Sequence, residues 1–135
     1  MVMDSKALKL LGKERVCVLA VCMANGGCHG AAMHFSHQVD PLIIYIQTES
    51  TSIKCKNLPT KASVVVGFSE ESMQTLQMDG DIRQITDLEE VYKIHYAKHP
   101  GAEKYKNDPT TVFLAFTPTW WRYSDYKNGV FLENK

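Results

Sequence analysis

The sequence predicts a mainly β domain with flanking helices, in which a largely antiparallel sheet curls into a barrel. Three observations carry that expectation. Six segments have β character, against three short ones with helical features. The first two strands are joined through an Asn-Gly pair, Asn25-Gly26, which supports the positive φ of a tight hairpin turn. No regular alternation of strand and helix runs along the chain, as a parallel sheet would require.

The elements follow in order. Asp4 or Ser5 can cap a short helix carrying Leu8, Leu10 and Leu11, with Gly12 as its expected stop. "RVCVLAVCM" is β-branched and apolar on both faces, and "CHGAAMHFSH" reads as the returning strand. Gly30, Ala31 and Ala32 in its middle weaken a strand unless something approaches the backbone closely. "PLIIYIQ" is a third strand, and "TSIKCKNL" opens a short helix that Pro59 stops. "ASVVVGF" is a buried strand. "QTLQMDGDIRQI" alternates, with Leu76, Met78, Gly80 and Ile82 on one face and Gln77, Asp79, Asp81 and Arg83 on the other. "TDLEEVYKIHYAKH" has the spacing of a capping box, Thr86 to Glu89, and ends at Pro100-Gly101. "TTVFLAFT" is the last long strand and leads into "PTWWRYSDY".

At 135 residues the chain is expected to form one domain over 1–135. Fifteen basic and fifteen acidic residues cancel, so no basic patch advertises nucleic acid. The N-terminal stretch is broken by Lys6, Lys9, Lys13, Glu14 and Arg15, unlike a signal peptide, and no apolar run has the length of a membrane span. A cytoplasmic protein with Cys17, Cys22, Cys28 and Cys55 as free thiols is the expectation.

The stretch "TESTSIK" places Thr48, Ser50, Thr51, Ser52 and Lys54 within seven residues, immediately after a strongly apolar strand. A phosphate, carrying about two negative charges, favours such hydroxyls, a lysine and the amides at a helix start. The competing assignment makes Ser50 or Thr51 a plain helix cap and Lys54 a solvated lysine. The Gly30-Ala31-Ala32 run suits a flat ring lying against a strand, or equally close packing against another chain. Gln77 can donate and accept, as a pyrimidine edge requires, or is simply exposed. Trp120 and Trp121 must point to opposite faces, so only one belongs to the core, and Arg122 reaches either an anion or a surface carboxylate.

Taken in order, these pieces resemble the pyridoxamine 5′-phosphate oxidase-like family of split-barrel, FMN-binding proteins, over roughly residues 14 to 124. The resemblance implies a six-stranded antiparallel Greek-key split β-barrel and a homodimer with FMN at its interface. It implies that Thr48, Thr51, Ser52 and Lys54 hold the flavin phosphate. Ala31, Ala32, Met33 and His34 then run beside the ring, which Gln77, Trp121 and Arg122 approach from other strands. The implied activity is a flavin-dependent oxidase or reductase of a small molecule, with NADH or NADPH as a candidate electron donor. A non-catalytic protein holding flavin, deazaflavin or haem is the alternative.

Two departures matter. The C-terminal "DYKNGVFLENK" lacks the Arg and His with which a true pyridoxamine phosphate oxidase of this family binds substrate, and "CHGAAMHFSH" lacks the arginines common beside the phosphate. Cys22, Cys28, His29, His34 and His37 lie close in sequence without the paired spacing that zinc favours, so no metal is expected. A histidine from this group is the natural ligand if the cofactor is haem.

Overall fold

The computed structural model describes residues 2–134. Helix α1 (Ser5–Lys13) starts where Asp4 Oδ1 accepts from the Lys6 amide at 2.8 Å. It buries Ala7, Leu10 and Leu11 in the barrel interior. Gly12 does not end it; the helix runs on to Lys13 and closes with the Glu14 amide on the Leu10 carbonyl at 2.9 Å.

Eight strands follow: β1 (Val16–Cys22), β2 (Cys28–His34), β3 (Ser36–Gln38), β4 (Ile43–Glu49), β5 (Thr60–Gly67), β6 (Gln74–Ile85), β7 (Thr111–Asp125) and β8 (Val130–Glu133). They form one antiparallel sheet in the order β2-β1-β5-β6-β7-β4-β3, with β8 added along β7. This is the curled, split-barrel sheet the sequence predicts, with two additions to its six strands. The predicted second strand divides at buried Phe35, whose amide bonds the Arg15 carbonyl, and the C-terminal tail supplies β8.

Inside the curl, Leu19, Ile44, Ile46, Val64, Val66, Leu76, Met78, Leu114 and Phe116 form the main core. Helix α2 (Glu89–Lys98) covers part of the outer surface, where Val91 and Tyr96 pack on Tyr45, Phe113 and Ala115. Strand β4 and the first half of β7 are therefore apolar on both faces. The predicted capping box does not form, since Leu88 occupies the N-cap and no side chain bonds there. Among the described residues no helix is long and apolar enough to cross a membrane.

Two irregularities position the candidate site. The helix expected from "TSIKCKNL" is a single 3-10 turn, Ile53–Cys55, held by bonds from the Cys55 amide to Ser52 and from Lys56 to Ile53. With Pro59 so near, there is no room for a full α-turn register. In β7, the register against β6 shifts between Asp79 and Gly80 and leaves Thr119 extra. A Cβ on Gly80 would lie 2.1 Å from the Thr117 carbonyl oxygen, so this close approach requires glycine. The bulge switches parity along β7: even residues Leu114 and Phe116 face the interior before it, and odd residues Trp121 and Tyr123 after it.

Candidate functional site

The end of β4, the Ile53–Cys55 turn and the approach to β7 enclose a cavity of about 460 Å³. Thr48, Ser52 and Lys54 all line it. Lys54 is only 9% exposed, yet among the described residues its ammonium has no hydrogen bond and no carboxylate within ion-pair distance. Ser52 Oγ donates weakly to Cys55 Sγ at 3.4 Å and remains able to accept or rotate. Thr51 is exposed and stands outside the cavity wall. Two carboxylates share the wall, Glu49 and Asp108. Asp108 accepts from the Thr110 amide at 2.9 Å and the Thr110 hydroxyl at 2.8 Å, bonds that hold its carboxyl below the ordinary range.

Tyr105, in the 3-10 segment Pro100–Tyr105, lines this cavity and also a second one of about 270 Å³ that includes Arg15, His34 and His99. The wall between the phosphate-type residues and the β2 strand is thus one half-exposed tyrosine. Behind His34 lies a cluster of basic groups. His99 Nε2 donates to the Phe35 carbonyl at 2.7 Å, so its Nδ1 is free to accept from the Arg15 guanidinium at 3.2 Å. His95 Nδ1 bonds Ser36 Oγ at 2.7 Å. Burial, then the neighbouring His99, His34 and Lys98, push the His95 pKa down to about 4. His34 itself meets His99 edge-on at 5.1 Å between ring centres.

The outer face of the β2-β1-β5-β6-β7 sheet carries the remaining candidates. Ala32 pairs with Val18, Val18 with Val65, Val65 with Gln77, and Gln77 with Arg122. Side chains directly opposite share a face, so these five form one row across the sheet. Val16 and Val18 are 48% and 47% exposed there, flanking Ala32 and His34. Ala31 and Met33 point the other way, and Met33 packs on the core. The β7 bulge likewise turns Trp121 inward to 4% exposure, leaving Trp120 and Arg122 on the outer face. Among the described residues Arg122 has no carboxylate in ion-pair contact, and it lies over the Phe131 ring at 5.7 Å.

Strand spacing of about 4.8 Å puts Gln77 roughly 14 Å from Ala32, three strands away, while Arg122 is its immediate neighbour. The structure therefore brings together two separate sets: Thr48, Ser52 and Lys54 in the cavity, and Gln77 with Arg122 on the outer face. Tyr105, Arg15 and His99 are cavity residues that sequence reasoning did not single out. Tyr105 lies in the loop at 100 to 110, which shows no periodicity, and Arg15 reads as the polar start of a strand. Among the described residues no three His, Cys, Asp or Glu side chains converge as metal ligands.

Solved structures share this fold at low identity. A Clostridium acetobutylicum protein related to general stress protein 26, of the pyridoxinephosphate oxidase family, aligns at TM-score 0.72 and 17% identity, over 98% of this chain and 96% of that one. A heme binding protein from Mycobacterium smegmatis aligns at 0.78 and 12%, over 100% and 60% respectively. HutZ, the heme storage protein of Vibrio cholerae, aligns at 0.68 and 12%, over 87% and 91%. No curated protein sequence matches. The sequence profile of the pyridoxamine 5′-phosphate oxidase family, however, matches residues 3–125, nearly the whole chain, and the protein belongs to that family.

Proposed function

We propose that this protein binds FMN between two copies of the chain and acts as an oxidoreductase on a small molecule, with NADH or NADPH as a source of electrons. The observation that carries the reading is Lys54. The Lys54 side chain is largely covered, yet its ammonium opens onto a cavity beside Ser52 and Thr48 and meets no acceptor or carboxylate among the described residues, so its charge is free for a ligand. A phosphate supplies what is missing: charge for the ammonium and acceptors for both hydroxyls. The donor set fits the group.

Bound flavin supplies the two-electron chemistry. The chain's own residues bind and orient. Lys54, Ser52 and Thr48 anchor the phosphate, and Tyr105 forms the wall leading towards β2. Ala32 and His34 flank the ring on the outer face, where the lack of bulk at Gly30 and Ala32 admits a flat group. Glu49 and Asp108 work against an anion in the same cavity, so one chain's single lysine makes an incomplete site. Arg122 and Gln77 lie too far along the sheet to complete it from within the same chain. Placed by a two-fold partner packing on the exposed Val16 and Val18, they would reach the cofactor held mainly by the other copy.

The test is a titration of FMN into the flavin-free protein. Replacing Lys54 and Ser52 together by alanine should weaken binding about 10- to 100-fold, the worth of a charge-assisted hydrogen bond, with the unfolding midpoint little changed. Unaltered affinity would overturn the phosphate assignment.

His34 supports a second reading, a carrier of haem or deazaflavin on the same fold. It is exposed at the 270 Å³ cavity, whereas both nitrogens of His99 are already engaged. A Soret band on adding haem, lost in His34→Ala, would favour that reading; flavin absorption retained after purification would favour the first.

A further inference from the structure

Cys22 and Cys28 end the two strands of the first hairpin and stand directly opposite each other in its ladder. The parity of that ladder is fixed at both ends. The Met23 amide bonds the Gly27 carbonyl at 2.9 Å, and the Phe35 amide bonds the Arg15 carbonyl at 3.2 Å. Hydrogen-bonded pairs therefore fall on odd residues of β1, and Cys22 with Cys28 is a non-hydrogen-bonded pair. In such pairs the Cα atoms are about 4.5 Å apart with the side chains at their closest. A disulfide spans Cα separations of about 4.4–6.8 Å. Both thiols are exposed, next to the exposed turn residues 24 to 27. Cys17 is buried on the opposite face at the far end of β1, and Cys55 is half-buried with its sulfur bonded to Ser52 and the Glu49 carbonyl.

We infer that Cys22 and Cys28 form a reversible thiol–disulfide site that exchanges with low-molecular-weight disulfides of the glutathione class. One cysteine thiolate attacks a sulfur of the small disulfide and expels one small thiolate, leaving a mixed disulfide. The opposite cysteine, as thiolate, attacks the protein sulfur of that bond and expels the second. The two protein thiols lose two electrons and two protons in total, and one disulfide becomes two small thiols. The bond closes only the short loop from Cys22 to Cys28, so it removes less disorder from the unfolded chain than a long-range disulfide would. Being exposed, it is open to reduction. This makes it responsive to redox conditions rather than structural, and it stands independently of the flavin site.

The full-length reduced protein, incubated in mixtures of reduced and oxidised glutathione and quenched by alkylation, tests this by intact mass. Oxidising mixtures should remove two hydrogens and two alkylatable thiols, with cyanogen bromide cleavage after Met23 leaving the fragments that carry Cys22 and Cys28 joined until reduction. Excess reduced glutathione should restore all four thiols. Cys22→Ser should abolish the internal bond and Cys55→Ser should leave it, with circular dichroism confirming that both variants fold. Four free thiols under the most oxidising mixture, stable glutathione adducts without an internal bond, or a bond involving Cys55 would each overturn the assignment.

Discussion

Lys54 and Lys98 both have partly or largely covered side chains, yet their surroundings differ in kind. Lys98 donates to the Leu11 carbonyl at 3.0 Å, lies 4.0 Å over the Phe35 ring centre, and neighbours His95 and His99, whose hydrogen bonds tie α2 to β3 and Phe35. Burial, then the Arg15 charge, push the Lys98 pKa down to about 8. Lys54 is the more covered of the two residues and has no partner among the described residues. The first region has met its polar demands internally and holds the fold together. The second has left a demand open, which is where a ligand gains most. Basic side chains gathered together with their polar demands met are thus weaker evidence of binding than one basic side chain left unmatched.

Acid should separate the two regions most strongly. His95 is 1% exposed and is faced by Ser36 from β3, Tyr96, Lys98 and His99 from α2, His34 from β2 and Phe113 from β7. No carboxylate stands among these groups to favour a proton. Below the ordinary imidazole value of 6.5 the unfolded chain takes up that proton, while the folded chain refuses it until about 4. The His95 contribution to stability is therefore flat above pH 6.5 and falls between 6.5 and 4. At about 1.4 kcal/mol per pKa unit, the loss approaches about 3 kcal/mol. His37 and His99, also lowered by burial, add in the same direction. Urea midpoints measured across this window should drop, and His95→Gln should flatten the slope. Loss of the depressed Asp108 and Asp125 carboxylates belongs below their ordinary value of 3.8 and is distinguishable by pH.

Lys54→Met tests the other side of the contrast. The substitution keeps the stem and removes a buried charge that has no partner, so thermal stability should hold or rise slightly. FMN affinity should fall about tenfold, somewhat less than for the double alanine variant. A large loss of stability in the flavin-free protein would mean that the ammonium is already satisfied and that the two lysines do not differ as described.

Much of this was legible in the chain, and the illegible parts have local causes. The alternation of β6 is fixed by period-two burial, and Leu76, Met78, Gly80 and Ile82 are all buried as it predicts. Thr48, Ser52 and Lys54 share a cavity because they sit within one strand end and one tight turn, where sequence proximity is spatial proximity. The inward position of Trp121 could not be read, because one extra residue at Thr119 reverses the parity of everything after it. Nothing near Thr119 announces a bulge except Gly80, far away in sequence, which tolerates the close approach. Tyr105 escaped for the opposite reason, since its place between two cavities depends on how the 100 to 110 segment folds back over β4. The capping box failed as a local pattern, because the chain enters α2 two residues later than Thr86 requires, with Leu88 at the N-cap.

The smallest expected signal bears on whether the open demand at Lys54 is met by another chain. Arg122→Ala protomers retain Lys54, and Lys54→Met protomers retain Arg122. If each site combines Lys54 of one chain with Arg122 of the other, a mixed dimer has one site with both residues intact and one with neither. Random reassociation makes about half the dimers mixed, so about a quarter of all sites should recover full FMN affinity. If both residues serve the same chain's site, mixing restores nothing, since every protomer carries one lesion. A titration of the reassociated mixture distinguishes a high-affinity fraction near one quarter from none. The geometry favours recovery, because Gln77 and Arg122 occupy the same outer face as Ala32 but stand roughly three strand spacings or more from it. A flat face can present those residues to a neighbour far more readily than to a cavity at the far end of β7, where Thr111 lines it.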